Sequence, residues 1–440
     1  MAIPSPTPGT ASAPDPRLAP FEHLMLVDAR PGFPMCFFLE CLVGGPLEEV
    51  RFRQAVAKAA RRHPLVRSRV RVQGGRACWL PPDVEPEVVW HPQNETGDPW
   101  AAIDVTRQSG LRLVVLPGET GRHRVVMQVH HSACDGIAAC EYFGDIWAAY
   151  AGLAPRPFSP GRPGPTAVDP AGATAATPHR GAATLEFARF MPSPLARGAA
   201  SQSNRTDERC QPPYEAVQFD AAFTERLRVA AGRQGVSLND VLVAAVMRAA
   251  VAWNTAAGKR RSNVRITMPV SLRAAGAREP ARNAIGYAFL DRRSGDCGAM
   301  GPLAASIGVA TKWVLDTGAA AAFLAALDWL ARRPRLLWMV TRLPVCCATA
   351  VFSNVGDTSR RMRTGAPKVD GRDAPADLVI ERFLGVPPLR PRTLAAVGGT
   401  TYANALALSC LCAAAPDGRH AAAAFLALVR TELEAFAVTP

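Results

Sequence analysis

At 440 residues the chain is longer than a single hydrophobic core usually grows, so two domains are expected, each able to bury a core of its own. A hydrophobic content of 48% against 20% charged residues excludes disordered and collagen-like classes. The net charge of +13, from 50 basic and 37 acidic residues, suits phosphates, anionic lipid or an acidic partner protein, whereas scattered arginines, 7% aromatic residues and the lack of zinc-finger, basic-zipper or RNA-binding motifs argue against nucleic acid.

In chain order, "MAIPSPTPGTASAPDP" has no basic region followed by an apolar one, so residues 1–19 read as a disordered Pro/Ala/Ser arm rather than a secretory signal, and the cytoplasm is the expected address. Met35–Val43 is an apolar run of strand length, and Leu47–His63 has helical apolar spacing. Val66–Val72 alternates like a half-buried strand, Leu111–Pro117 and His123–His130 are two more, and Gly136–Gly152 reads as a helix. Leu153–Pro213 is crowded with Pro, Gly and Thr and reads as a linker or crossover.

The second half restarts with a strand at Tyr214–Asp220 and helices over Ala221–Gly235 and from Ser237, an N-cap with Asp240 three residues on. Strands follow at Asn263–Arg273 and Asn283–Arg293, helices at roughly Pro302–Leu343, and a strand at Ala348–Asp357. A β-hairpin over Thr393–Pro416 and a helix to about Phe436 complete the chain. The expectation is an α/β (α+β) protein with lobes at 20–152 and 214–440 joined through 153–213.

The apolar stretches Gly318–Leu330 and Leu336–Phe352 are broken by Asp328 and Arg342, so no membrane span is expected, which leaves peripheral membrane contact open. The eleven cysteines form no CxxC pair; buried thiols in a reducing compartment are expected, with no structural zinc.

The chemistry concentrates in "VHHSACDG", where a strand gives way to a helix. A neutral imidazole at a strand end, in a crevice with restricted water, can take a proton from an attacking hydroxyl or amine. Adjacent residues on an extended segment point to opposite sides, so His130 and His131 cannot both face one substrate. The same divergence counts against a metal site from His130, His131 and Asp135. Cys134 as a nucleophile lies three residues from His131 on a turn, which does not make the two side chains face each other.

His130, His131, Asp135 and Gly136 together spell HHxxxDG. With "RHPLVRSRV" upstream and "SLNDVLVAAV", "MPVSLR", "NAIG" and "SNVG" downstream, the chain resembles the condensation-domain and chloramphenicol-acetyltransferase-like superfamily of CoA- or carrier-dependent acyltransferases over about residues 20–437. Ile137 after the motif, and no DFGWG-like stretch, set it apart from typical peptide-bond-forming domains and from the plant branch; the free-standing branch, with wax-ester-synthase-like and alcohol-acetyltransferase-like enzymes, fits better.

The resemblance implies two chloramphenicol-acetyltransferase-like lobes forming a V-shaped pseudo-dimer, with a tunnel between them. His131 would be the catalytic histidine and His130 structural. Asp135 would be structural too, paired with Arg67, with Gly136 completing the motif. Ser353 and Asn354 are candidates for the tunnel wall, while Arg273 and Asn283 fit a structural salt bridge and a turn. No cofactor is bound in such proteins: acyl-CoA or a phosphopantetheinyl thioester on an acidic acyl carrier protein is co-substrate, and a small alcohol or amine is the acceptor. A monomer is expected.

Two readings compete. His130 and Asp135 also satisfy the HxxxxD pattern of glycerolipid acyltransferases, which would make His130 the essential histidine. Alternatively the protein is a catalytically silent condensation-like domain that binds a carrier or an acyl ligand.

Overall fold

The computed structural model describes residues 17–91, 98–118, 121–161, 190–197, 211–414 and 417–438. Its helices are α1 (Pro20–Asp28), α2 (Glu49–Ala60), α3 (Gly136–Tyr150), α4 (Ala221–Arg233), α5 (Leu238–Ala256), α6 (Met300–Thr317), α7 (Ala319–Ala331), α8 (Pro334–Arg342), α9 (Thr358–Met362) and α10 (Gly418–Ala437). The strands of the first half are β1 (Cys36–Gly44), β2 (Val70–Gln73), β3 (Arg76–Trp79), β4 (Glu87–Trp90), β5 (Leu111–Pro117) and β6 (Arg122–His130). Those of the second are β7 (Glu215–Gln218), β8 (Asn263–Ser271), β9 (Ile285–Arg293), β10 (Ala350–Asp357), β11 (Lys368–Val369), β12 (Arg372–Asp373), β13 (Val379–Val386), β14 (Ala395–Tyr402) and β15 (Ala405–Cys412).

Two large sheets organise these elements into the expected mixed α/β fold. The first has the order β13-β1-β6-β5-β4, and the second β7-β15-β14-β10-β8-β9. Because side chains alternate along a strand, Leu39 and Cys41 of β1, Val125 and Met127 of β6 and Leu113 of β5 fall on one face. There they pack with Phe52 and Val56 of α2 and Phe143 and Trp147 of α3. In the second half α5 and α10 contribute Val241, Ala245, Phe425 and Val429 to the core beside β8, β14 and β15. Helix α5 opens as its sequence demands: Ser237 accepts from the Asp240 N–H, and the Asp240 carboxylate accepts from the Ser237 N–H.

The opposite face of the first sheet carries a buried ion cluster. Glu40 of β1 is fully buried and accepts from Arg124 of β6 at 2.7 Å, from Arg382 of β13 at 2.7 Å and from the Tyr214 hydroxyl at 2.7 Å. Burial raises the Glu40 carboxyl, but the two guanidinium groups and Tyr214 outweigh it and hold it below its ordinary range.

Strand β13 departs from the expected lobe boundaries. It lies within 214–440, yet it pairs antiparallel with β1 as the edge of the first sheet, from Phe38↔Val386 to Gly44↔Val379. The chain then returns to the second sheet through β14. Close passage at this crossing requires glycine, since a Cβ on Gly398 of β14 would lie 2.0 Å from the Gly385 carbonyl oxygen of β13.

Two local expectations are corrected. Val66–Val72 is not one strand: Pro64 starts a 3-10 turn over Pro64–Arg67, and β2 begins only at Val70. Helix α1, with Pro20 at its first position, is an element that the sequence pattern does not announce. Residues 1–16 of the arm, and 162–189 and 198–210 of the linker, lie outside the described residues. Of the linker's described parts, Ser159 bridges to Arg278, and Leu195 and Ala196 are buried against the second half.

Replacing Glu40 by alanine leaves two arginines without their buried partner. Urea unfolding is expected to show a loss of about 3 kcal/mol, the lower end of the range for broken buried pairs, because both guanidinium groups retain some solvent contact.

Candidate active site

Strand β6 ends at His130 and α3 starts at Gly136, so the five residues between are a tight reversal at the end of the first sheet. The reversal is held mainly from outside its own half. Asp135 is the N-cap of α3, its Oδ1 accepting from the Ala138 N–H at 3.0 Å. Its Oδ2 accepts from Arg273 Nη1 at 2.7 Å and from the Ala284 N–H at 2.8 Å. Asn283 Nδ2 donates to the carbonyl oxygens of His131 and Ser132 at 3.0 and 3.1 Å. Arg273 follows β8 and Asn283 precedes β9, so one connection of the second half clamps the motif of the first.

The expected Asp135–Arg67 pair does not form. Arg67 sits in the 3-10 turn and bonds to Glu85 at 2.7 Å, while Arg273 supplies the partner of Asp135. Physically, Asp135 and Arg273 are 1% and 5% exposed and can be buried only together, whereas the Arg67–Glu85 pair reaches solvent. Burial raises the Asp135 carboxyl; the Arg273 charge and the two backbone N–H groups more than compensate and keep it low. The "RH" of the upstream segment makes a further tie between the halves. His63 Nδ1 accepts from the Ala281 N–H at 2.9 Å, so its Nε2–H donates to Asp145 of α3 at 3.0 Å, and Asp145 is also bound by Arg62 and Arg278.

The two motif histidines have different surroundings. His130 Nδ1 accepts from the Ser132 hydroxyl at 2.7 Å and faces its N–H at 3.3 Å; burial lowers its pKa to about 4. His131 is held by its backbone, donating from its N–H to the Met35 carbonyl at 2.9 Å. Met35 is buried at φ 53°, a left-handed conformation that is costly outside glycine and that turns its carbonyl toward the histidine. The His131 ring stands edge-on to Phe21 of α1 at 5.2 Å and to Phe37 of β1 at 5.1 Å. Its Nδ1 is buried and makes no hydrogen bond of ordinary geometry among the described residues. Burial lowers the His131 pKa, with the Asp135 charge opposing, so the ring is neutral at pH 7.

His131 lines a cavity of about 40 Å³ together with Phe37, Leu39, Gly136, Ser353, Val355, Gly385, Pro387 and Gly399. Its walls thus come from β1 and β13 of the first sheet and β10 and β14 of the second. Gly136 fits where helix start meets strand: a Cβ there would lie 3.2 Å from Val355 Cγ1. A space of this size is on the scale of a few waters, well below the roughly 300–1,000 Å³ of pockets that hold drug-sized ligands.

Of the sequence candidates, His131, Gly136 and Ser353 therefore meet at one cavity. Asn354 does not line it: its Nδ2 donates to Asn239 at 3.2 Å, and its Oδ1 accepts from the Gly356 N–H. His130 is held away from it, and Cys134 is buried with its thiol pushed well above the ordinary range, unsuited to nucleophilic attack. Phe21, Met35 and Asp145 also support the site, and no motif in the sequence singles them out as functional.

Substituting Asp135 by asparagine keeps a cap acceptor but strands Arg273, and is expected to cost at least about 3 kcal/mol in urea unfolding. Arg67→Ala, at a solvent-reaching pair, is expected to cost about 1 kcal/mol or less. Equal losses would sink the assignment of Arg273 as the partner.

No family model matches the chain, and the comparison with curated proteins finds no match. Solved structures do match over nearly the whole chain. The first condensation domain of the CDA synthetase is 15% identical with a TM-score of 0.65, covering 97% of both chains. Polyketide synthase associated protein 5 from Mycobacterium tuberculosis is 16% identical with a TM-score of 0.64, covering 97% of this chain and 99% of that one. The trichothecene 15-O-acetyltransferase from Fusarium sporotrichioides is 11% identical with a TM-score of 0.67, covering 96% and 95%. The chain therefore has the fold shared by condensation domains and chloramphenicol-acetyltransferase-like acyltransferases.

Proposed function

We propose that the protein is an acyltransferase, moving an acyl group from a phosphopantetheine thioester to a hydroxyl or amine acceptor. The observation that carries the proposal is a neutral, buried His131 lining a cavity whose walls come from both sheets. In the reaction, a ring nitrogen of His131 takes the acceptor's proton as its oxygen or nitrogen attacks the thioester carbonyl. The tetrahedral adduct collapses with cleavage of the C–S bond, and the departing thiolate takes the proton back from the imidazolium. Ser353, in the same wall, has a hydroxyl suited to donating to the carbonyl oxygen as charge develops there.

The net charge of +13 suits acyl-CoA and an acidic acyl carrier protein equally as donors. Among the described residues the cysteines are free thiols, which fits the cytoplasm. A second reading rests on the narrowness of the space beside His131, which does not seat a thioester and an acceptor together as it stands: a catalytically silent domain that binds a carrier or acyl ligand without transferring it.

Thiol release from acyl-CoAs of graded length, with alcohol and amine acceptors, separates the two. Acceptor-dependent release in the wild type, reduced roughly 10²- to 10⁴-fold in His131→Ala and far less in His130→Ala, is the expected result. Release absent with acyl-CoA and acyl-carrier donors alike would favour the silent domain; a larger loss from His130→Ala would restore the HxxxxD reading.

The pH profile tests the same ring. Its lowered pKa keeps it unprotonated at neutral pH, so kcat/KM should be flat through neutrality and fall on acidification. The midpoint should lie below the ordinary histidine value of about 6.5. A midpoint above that value would contradict His131 as base.

A further inference from the structure

The segment from α7 through α8 and just beyond leaves an unusual surface. Trp329, Trp338 and Met339 are 53%, 56% and 50% exposed, and Val340, Leu343 and Val345 are exposed beside them. In α8 only Leu337 is buried. Single exposed apolar side chains are unremarkable, but six within seventeen residues, two of them tryptophans, mark an interaction face. Four arginines, at 332, 333, 335 and 342, share the segment with one acid, Asp328. Two stack on the indoles, Arg333 over Trp329 at 4.1 Å and Arg342 over Trp338 at 5.2 Å. Indole paired with guanidinium suits a headgroup layer, where an aromatic ring meets the apolar boundary and a cation meets phosphate.

The same helices lead inward. Arg342 donates to the Val27 carbonyl at 2.8 Å and Arg30 to the Thr341 carbonyl at 2.7 Å, tying α8 to α1. Phe323 of α7 packs on Tyr287 at 5.2 Å, Tyr287 on Phe21 of α1 at 5.3 Å, and Phe21 on His131 at 5.2 Å. Buried aromatic packing thus connects α7, through Tyr287 of β9 and Phe21 of α1, to His131.

We propose that the face from Trp329 to Val345 docks on the surface of an anionic phospholipid bilayer. The docking stands apart from the acyl-transfer reading. An acidic carrier protein would be met by the arginines but would leave the half-exposed Trp338, Met339 and Leu343 without apolar partners.

The test is flotation of the full chain with vesicles of phosphatidylcholine alone or mixed with phosphatidylglycerol. Wild type is expected to float with the anionic vesicles only, and less as salt rises. Arg333→Gln and Arg335→Gln should each weaken association roughly fivefold. Trp338→Ala combined with Met339→Ser should abolish it while leaving the unfolding midpoint unchanged, since both side chains are exposed. Wild type that stays unbound, or variants that float like wild type, overturn the proposal. So does a wild-type dimer in sedimentation that Trp338→Ala dissociates without any vesicle binding, which would make the face a contact between copies. Because flotation reads no turnover, absent thiol release with intact flotation would remove the acyl-transfer reading alone.

Discussion

One buried carboxylate organises the candidate site. Asp135 caps the helix that follows the motif and binds Arg273 and the Ala284 N–H from the second half, so the same atoms that start α3 fix it against β8 and β9. An isolated carboxylate could not stay ionised there; with a guanidinium and two N–H groups on it, ionisation is favoured and the loop has one geometry. The orientation of His131 follows from that geometry, with Asn283 holding its carbonyl and Met35 receiving its N–H.

The neighbouring histidines show how strand geometry sorts like residues into unlike roles. One ring turns to Ser132 inside the first half, and the other stands between Phe21 and Phe37 at the cavity. Both are neutral at physiological pH because burial penalises the imidazolium, but of the two only His131 lines the cavity.

Most elements were legible in the sequence because they obey local rules. The alternation of β6, the helical spacing of α2 and the Ser237 cap of α5 each declare themselves within a dozen residues. HHxxxDG and its companion fragments pointed to the fold, and to His131 and Gly136 at the cavity. What the sequence withheld is contact at long range. Arg67 and Arg273 are both arginines in motif-like segments, and only packing decides which one reaches Asp135. Asn354 beside Ser353 turns to Asn239 because neighbours on a strand face opposite ways. The destination of β13 depends on a sheet edge more than 330 residues earlier in the chain, which no window of sequence reports.

That last pairing sets an order on assembly. Until Val379–Val386 has been synthesised, β1 is the outer strand of an unfinished sheet, with open N–H and C=O groups and the buried Glu40 facing only one of its two arginines. An unprotected edge of this kind invites pairing with another chain. The first half therefore depends for its completion on a strand that arrives after most of the second half has left the ribosome, so a chain cut between the halves would present an adhesive edge rather than an independent domain.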